Sequence, residues 1–176
     1  ELIIKVKEPQ PSEVALLTPE HTLFTYFHLA PDHDLTDSLI ASGATCIAYE
    51  TVTDEQGRLP LLAPMSEIAG RMAVQAGAHS LEMEGGGRGV LLAGASGVPA
   101  AEVLVLGAGV VGANALSVAV GMGAHVTIMD TSMPRLRQLD QQYGNRVSTL
   151  YSTRTALDDY MAKADLVIGA VLLPGA

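Results

Sequence analysis

Apolar runs of about five to eight residues alternate along the chain with segments whose apolar positions recur at helical spacing. That alternation predicts an α/β architecture with a parallel sheet, because a sandwich would show strand after strand and a bundle helical period throughout. A first strand is predicted over Leu2–Lys7, ended by Glu8-Pro9, and a second over Thr22–Leu29. Leu35, Leu39 and Ile40 then share a helical face across Asp34–Ser42, with Gly43 as the stop, and a third strand follows over Ala44–Val52. Two prolines in LPLLAP mark a boundary between Leu59 and Pro64. From Met65 to Glu84 the spacing of Ile68, Met72, Ala76 and Leu81 predicts a long helix stopped by Gly85-Gly86-Gly87, read as a connector between two domains.

Beyond that helix the order is strand Glu102–Leu106, helix Val110–Met122, strand His125–Asp130, helix Ser132–Gln142, strand Val147–Tyr151, helix Ala156–Met161 and strand Asp165–Ala170. This is a β-α-β-α-β-α-β series, the pattern of a doubly wound, mononucleotide-binding sheet. The opening ELIIKVK reads as a strand already under way and DLVIGAVLLPGA as a strand entering a loop, so the chain is read as the middle of a longer protein. Residues 1–61 are assigned to one domain and 62–176 to a second.

Gly107-Ala108-Gly109-Val110-Val111-Gly112 is a G-x-G-x-x-G placed where the motif has a mechanism, after an apolar strand and before a helix of small residues. Gly107 can take the tight turn, Gly109 lets backbone approach a diphosphate, and Gly112 lets helix and strand pack closely. Free N–H groups and the helix dipole at Val110 and Val111 would favour the anion. Asp130 ends the following strand, where a carboxylate accepts from both ribose hydroxyls and repels a 2′-phosphate, which favours NAD over NADP. Arg135 could soften that preference by pairing a phosphate. The competing reading is a glycine-rich turn without a dinucleotide, Asp130 then capping the next helix.

In the first half Lys7, His28 and Glu50 each stand at the C-terminal end of an apolar strand, on the edge where open α/β sheets place their ligands. Lys7 suits a carboxylate or a carbonyl oxygen. His28, with an ordinary imidazole pKa of ~6.5, can exchange protons near neutrality. Glu50 could accept a hydrogen bond from either, or form a surface ion pair. Each also has a structural reading, Lys7 as a solvated strand end and His28 as a hydrogen-bonded structural histidine.

Charge narrows the classes. Nineteen acids against ten bases give a formal charge of −9, and the lysines are Lys5, Lys7 and Lys163. A nucleic-acid binder needs a basic stripe, so that class is set aside. No apolar run reaches the ~18 residues of a membrane span. A single cysteine, Cys46, and five histidines without ligand spacing predict no metal site and a reducing, cytoplasmic setting.

With those residues located, the runs KVKEP, LFTYFHLA, AYETV, LPLLAPMSEIAGRMAVQAGA, GGRGVLL, VLGAGVVGANA, LRQLD and ADLVIGAVLLPGA resemble the NAD-dependent alanine dehydrogenase family across essentially the whole chain. The resemblance implies a flavodoxin-like α/β substrate domain beside a Rossmann-type NAD domain, reversible oxidative deamination of L-alanine to pyruvate and ammonia, and a hexamer. By position, it implies that Lys7 binds the substrate and His28 is catalytic. It also implies that Leu62 and Met65 line the pyruvate pocket, and that Ser66, Asp130, Arg135 and Ser152 contact the cofactor. A substrate-binding arginine before Glu1, and acidic and amide residues beyond Ala176, are implied as well. A soluble NAD(H)-binding component of proton-translocating transhydrogenase and a non-catalytic NAD(H) sensor are the alternatives.

Overall fold

The computed structural model describes residues 1–172; the end of the loop read in DLVIGAVLLPGA, residues 173–176, lies outside the described residues. The chain divides into two compact units, Glu1–Pro64 and Met65–Leu172. Both are built on parallel sheets, so the α/β architecture predicted from the alternating pattern is the one observed.

The first unit holds β1 (Leu2–Ile4), α1 (Pro11–Val14), β2 (Thr22–Thr25), α2 (His33–Ser42) and β3 (Thr45–Ala48), with strand order β1-β2-β3. Val14 and Leu39 bring the two helices onto Leu23 and Phe27, and these four form the buried core of the unit. Asp32 caps α2 by accepting from the Leu35 N–H at 2.9 Å. Gly43, at φ +69°, turns the chain out of it.

All three strands are shorter than their apolar runs. β3 passes at Tyr49 into a turn of 3-10 helix, Tyr49–Thr51, so its ladder with β2 stops at the Thr25–Ala48 pair. Phe27, Leu29 and Val52 stay at least half-buried without strand pairing. Apolar character there reports burial, not a ladder. Helix α1, absent from the predicted elements, is a single turn with Pro11 at its start and a capping box between Gln10 and Glu13.

The next helix, α3 (Ala63–Leu81), begins before Met65. Pro64 is accommodated because the first turn of a helix needs no N–H donor. Then come β4 (Glu102–Leu106), α4 (Val110–Gly121), β5 (His125–Asp130), α5 (Met133–Tyr143), β6 (Val147–Tyr151), α6 (Arg154–Met161) and β7 (Leu166–Gly169). Strand order is β6-β5-β4-β7, so the chain winds away from β4 in one direction and then returns to its other side. That reversal is the switch point at which doubly wound sheets bind ligands.

Val103 and Val105 join Ala115, Leu116 and Ala119 of α4 and Leu139 of α5 in the main core of this unit. Leu104, between them, points to the opposite face by strand alternation. There it lines a cavity of about 320 Å³ with Thr127, Tyr160 and Lys163. Helix α3 packs against α4 without an intervening side chain at Gly70, where an added Cβ would lie 2.2 Å from the Val111 carbonyl oxygen.

Candidate functional site

The glycine turn of the second unit lies between β4 and α4, at the end of β4 where the strand order reverses. Gly107 has φ +96°, and a Cβ there would press on the Ala170 carbonyl at 2.7 Å. At Gly112 an added Cβ would stand 1.8 Å from the Gly107 oxygen, so the return of the helix against the strand requires glycine. Gly109 differs, because a Cβ there meets nothing of the protein within 4 Å. The backbone at Gly109 thus faces open space, next to the first turn of α4, which no side chain caps. Uncapped N–H donors beside an unobstructed backbone fit a diphosphate.

Asp130 and Arg135 grip this turn from both sides. The Asp130 Oδ2 accepts from the Ala108 N–H at 2.6 Å and Oδ1 from the Ser132 N–H at 2.7 Å. Arg135 Nε donates to the Ala108 carbonyl at 2.8 Å, and its Nη1 to the Gln138 side chain. Each carboxylate oxygen has a second lone pair, so Asp130 can hold the turn and still accept from a ribose hydroxyl. Phosphate pairing by Arg135 would compete with bonds the guanidinium already makes. The Ser152 N–H donates to the Asp130 carbonyl at 3.0 Å, which brings Ser152 to the same strand edge. Ser66 and Met65 stand in the first turn of α3, Ser66 half-buried and Met65 exposed; neither side chain is hydrogen-bonded among the described residues.

In the first unit, the residues beyond the strand ends gather around a carboxylate that the sequence pattern did not single out. Glu8 Oε2 lies 3.2 Å from His28 Nδ1 and 3.6 Å from Lys7 Nζ. A hydrogen bond from its own backbone N–H holds the Glu8 carboxyl below its ordinary value; burial opposes this, and His28 and Lys7 add to the lowering. An ionised carboxylate only accepts, so His28 donates from Nδ1 and keeps Nε2 free to exchange a proton. Lys7 is largely open to solvent, with 71% of its side chain exposed. Lys5, which like Lys7 lies beyond the end of β1, is tied instead to Glu13 of α1. The signal for Glu8 was its adjacency to Lys7, but the Glu8-Pro9 pair reads first as a strand stop.

His28 has φ +52°, the one non-glycine residue at positive φ among those described. Such a conformation costs of order 1–3 kcal/mol and persists only where its surroundings impose it. Here Glu50 Oε1 accepts from the N–H groups of both Phe27, at 3.0 Å, and His28, at 2.8 Å. Hydrogen bonds to a charged acceptor are worth about 1.5–3 kcal/mol each, enough to outweigh the strain. Burial raises the Glu50 carboxyl, but the N–H groups of His28, Glu50 itself and Phe27, with the charge of a protonated His28 adding to them, bring it below the ordinary value. Glu50 therefore touches the histidine through its backbone and not its ring.

The Tyr26 ring stacks near that of His28, with centroids 6.2 Å apart and planes inclined 29°. The Tyr26 hydroxyl donates to the Leu61 carbonyl at 2.5 Å, which ties the segment carrying half-buried Leu62 to the strand that carries His28. Among the described residues no group of three or more potential metal ligands clusters, and no helix is long and apolar enough to cross a membrane.

A doubly wound parallel sheet, with a glycine turn at its switch point and a carboxylate ending the second strand, defines a nucleotide-binding α/β protein of the dehydrogenase type. The comparisons with known proteins are more specific. The family description "Alanine dehydrogenase/PNT, N-terminal domain" matches residues 1–69 and its counterpart for the C-terminal domain matches residues 73–176. The chain belongs to the alanine dehydrogenase/PNT family. Alanine dehydrogenase of Halomonas elongata is 60% identical over 176 residues, covering all of this chain and 47% of that protein. A solved L-alanine dehydrogenase superposes with a TM-score of 0.86 at 51% identity, over 99% of this chain and 48% of its own. A transhydrogenase from Sinorhizobium meliloti shares the fold, with a TM-score of 0.75 at 22% identity over 99% of this chain and 51% of its own. The chain spans about half the length of the curated relatives it matches.

Proposed function

We propose that the whole protein is an NAD-dependent alanine dehydrogenase, which interconverts L-alanine with pyruvate and ammonia. The observation that carries this reading is the gathering of Lys7 and His28 about Glu8, in a chain 60% identical to a named alanine dehydrogenase. Bound at the glycine turn, the dinucleotide supplies the hydride acceptor or donor. Its diphosphate would rest on the first turn of α4 beside Gly109, with Gly107 and Gly112 shaping the turn, Val110 and Val111 offering their N–H groups, and Asp130 taking the ribose. The preference for NAD follows from the charge of Asp130. Ser66, Arg135 and Ser152 complete the proposed cofactor contacts.

Lys7 would bind the substrate carboxylate and polarise the carbonyl oxygen of pyruvate, for which a mobile, exposed ammonium is suited. His28 would move protons at Nε2 while Glu8 holds Nδ1. In the reductive direction this assists attack of ammonia on the carbonyl and loss of water to the iminium; in the oxidative direction the same nitrogen takes the proton from attacking water. Leu62 and Met65 would contribute apolar walls for the substrate methyl. The first unit is thereby proposed as the substrate part and the second as the NAD part. A cytoplasmic homo-oligomer, a hexamer by the family likeness, belongs to the same proposal.

The test is alanine-dependent NADH formation by the full-length protein. Its absence, together with hydride transfer from NADH to an NADP analogue, would reject this reading in favour of a transhydrogenase component.

A further inference from the structure

We infer that Glu50 is a positioning residue for His28, fixing the histidine through the peptide N–H groups of Phe27 and His28. The inference rests on the reading of His28 as the proton-transfer group.

The ladder between β2 and β3 ends at Thr25–Ala48 because β3 turns into 3-10 helix. From that point β3 no longer offers a carbonyl in ladder register to the Phe27 N–H, whereas Tyr26, facing the other neighbour, still donates to the Val6 carbonyl at 3.4 Å. The N–H groups of Phe27 and of His28, which follows it at positive φ, converge on one oxygen of Glu50. Successive N–H groups converging in this way form a concavity for an anion, and here the anion is a side chain of the same chain. With those N–H groups held, His28 adopts φ +52° and its ring meets Glu8. The second Glu50 oxygen, Oε2, is shut off from solvent and has no hydrogen-bond partner among the described residues. The carboxylate is therefore not displayed to a ligand, and neither oxygen touches the imidazole or Lys7. Its hydrogen bonds to the histidine run through the backbone, and the charge it also presents to His28 is what the comparison of Gln with Asp isolates.

This assignment separates reach from charge. Glu50→Gln keeps a carbonyl oxygen at the position of Oε1 and loses the charge. Glu50→Asp keeps the charge and withdraws the oxygen by a methylene. Glu50→Ala removes the acceptor. In the full-length protein, Glu50→Ala is expected to lower kcat for alanine oxidation about 100-fold, the scale of an ångström-sized misplacement, with KM for alanine changed less than about threefold. It should also speed deuterium uptake in a peptide spanning residues 24–30. Glu50→Gln should stay within about fivefold of wild type in kcat, with slow uptake, and Glu50→Asp should fall between Gln and Ala.

A wild-type kcat in Glu50→Ala overturns the assignment. So does Glu50→Asp outperforming Glu50→Gln, which remains readable should the alanine variant fail to fold. If the wild-type protein shows no alanine-dependent turnover, the functional reading falls by itself. The exchange measurement then still decides the anchor, which fails if uptake in Glu50→Ala or Glu50→Asp matches wild type.

Discussion

The two units secure their candidate residues in opposite ways. In the second, the geometry is set by side chains that are missing: Gly107 and Gly112 leave room for carbonyls that any Cβ would strike, and Gly109 leaves room for something outside the protein. In the first, it is set by side chains that are present, since Lys7 and His28 lie past the last ladder bonds and depend on Glu8 and Glu50 for their placement. A site made of absences tolerates no added atom, whereas one made of carboxylates tolerates atoms but not the loss of an acceptor. Substitutions should therefore fail differently in the two units.

The largest expected effect is at His28. In the full-length protein, His28→Ala should lower kcat by roughly 10³-fold, within the range for a lost general acid/base, while NAD affinity by fluorescence titration changes less than about twofold. Loss of both together would show that His28 shapes the fold and not the chemistry.

Next comes the contrast between two glycines. Gly112→Ala should lower the melting temperature by several degrees and weaken NAD binding more than about 100-fold, because its Cβ collides with Gly107. Gly109→Ala should leave the melting temperature within about 1 °C and still weaken NAD about tenfold, since only a ligand is there to be struck. Equal melting behaviour in the two variants would erase the distinction.

Asp130→Gly provides a smaller effect and tests the preference between cofactors. Relief of repulsion should raise kcat/KM with NADP relative to NAD by about tenfold. Activity with NAD should fall at the same time, because Ala108 loses its acceptor. An unchanged ratio would assign the preference to another group.

The smallest effect is in acid. The folded Glu50 carboxyl lies below its ordinary value, so the stability it contributes is present above the unfolded value of about 4.3 and is lost as pH falls through the folded one. Melting curves between pH 3 and 5 should thus fall less steeply for Glu50→Gln than for wild type. Parallel curves would show that the carboxyl titrates alike in both states.

The second unit was legible in the sequence because its constraints are local. A glycine turn between an apolar strand and a small-residue helix carries its own steric reasons, and the order of elements followed from periodicity alone. The first unit was legible in residue type and less so in geometry. Apolar runs through Leu29 and Val52 predicted longer strands, yet the ladder had already ended; Leu29 packs against the core that Val14 and Leu39 of the two helices build, and Val52 is half-buried without strand pairing. Glu8 passed as a terminator because proline follows it, and a helix as short as Pro11–Val14 leaves little periodicity to read. The grip of Asp130 and Arg135 on Ala108 joins residues distant in sequence, and no pattern along the chain displays such a bond.

Gly70 lies outside the motif, yet the backbone of α3 at that point rests directly on the first turn of α4, with the Val111 oxygen as its neighbour. A methyl group added there would act as a wedge under the helix whose amides are proposed to hold the diphosphate. Attempts to retune dinucleotide affinity by varying only the loop would leave this remote control untouched, and sequence drift at Gly70 is a means by which binding could decay with every contact residue intact.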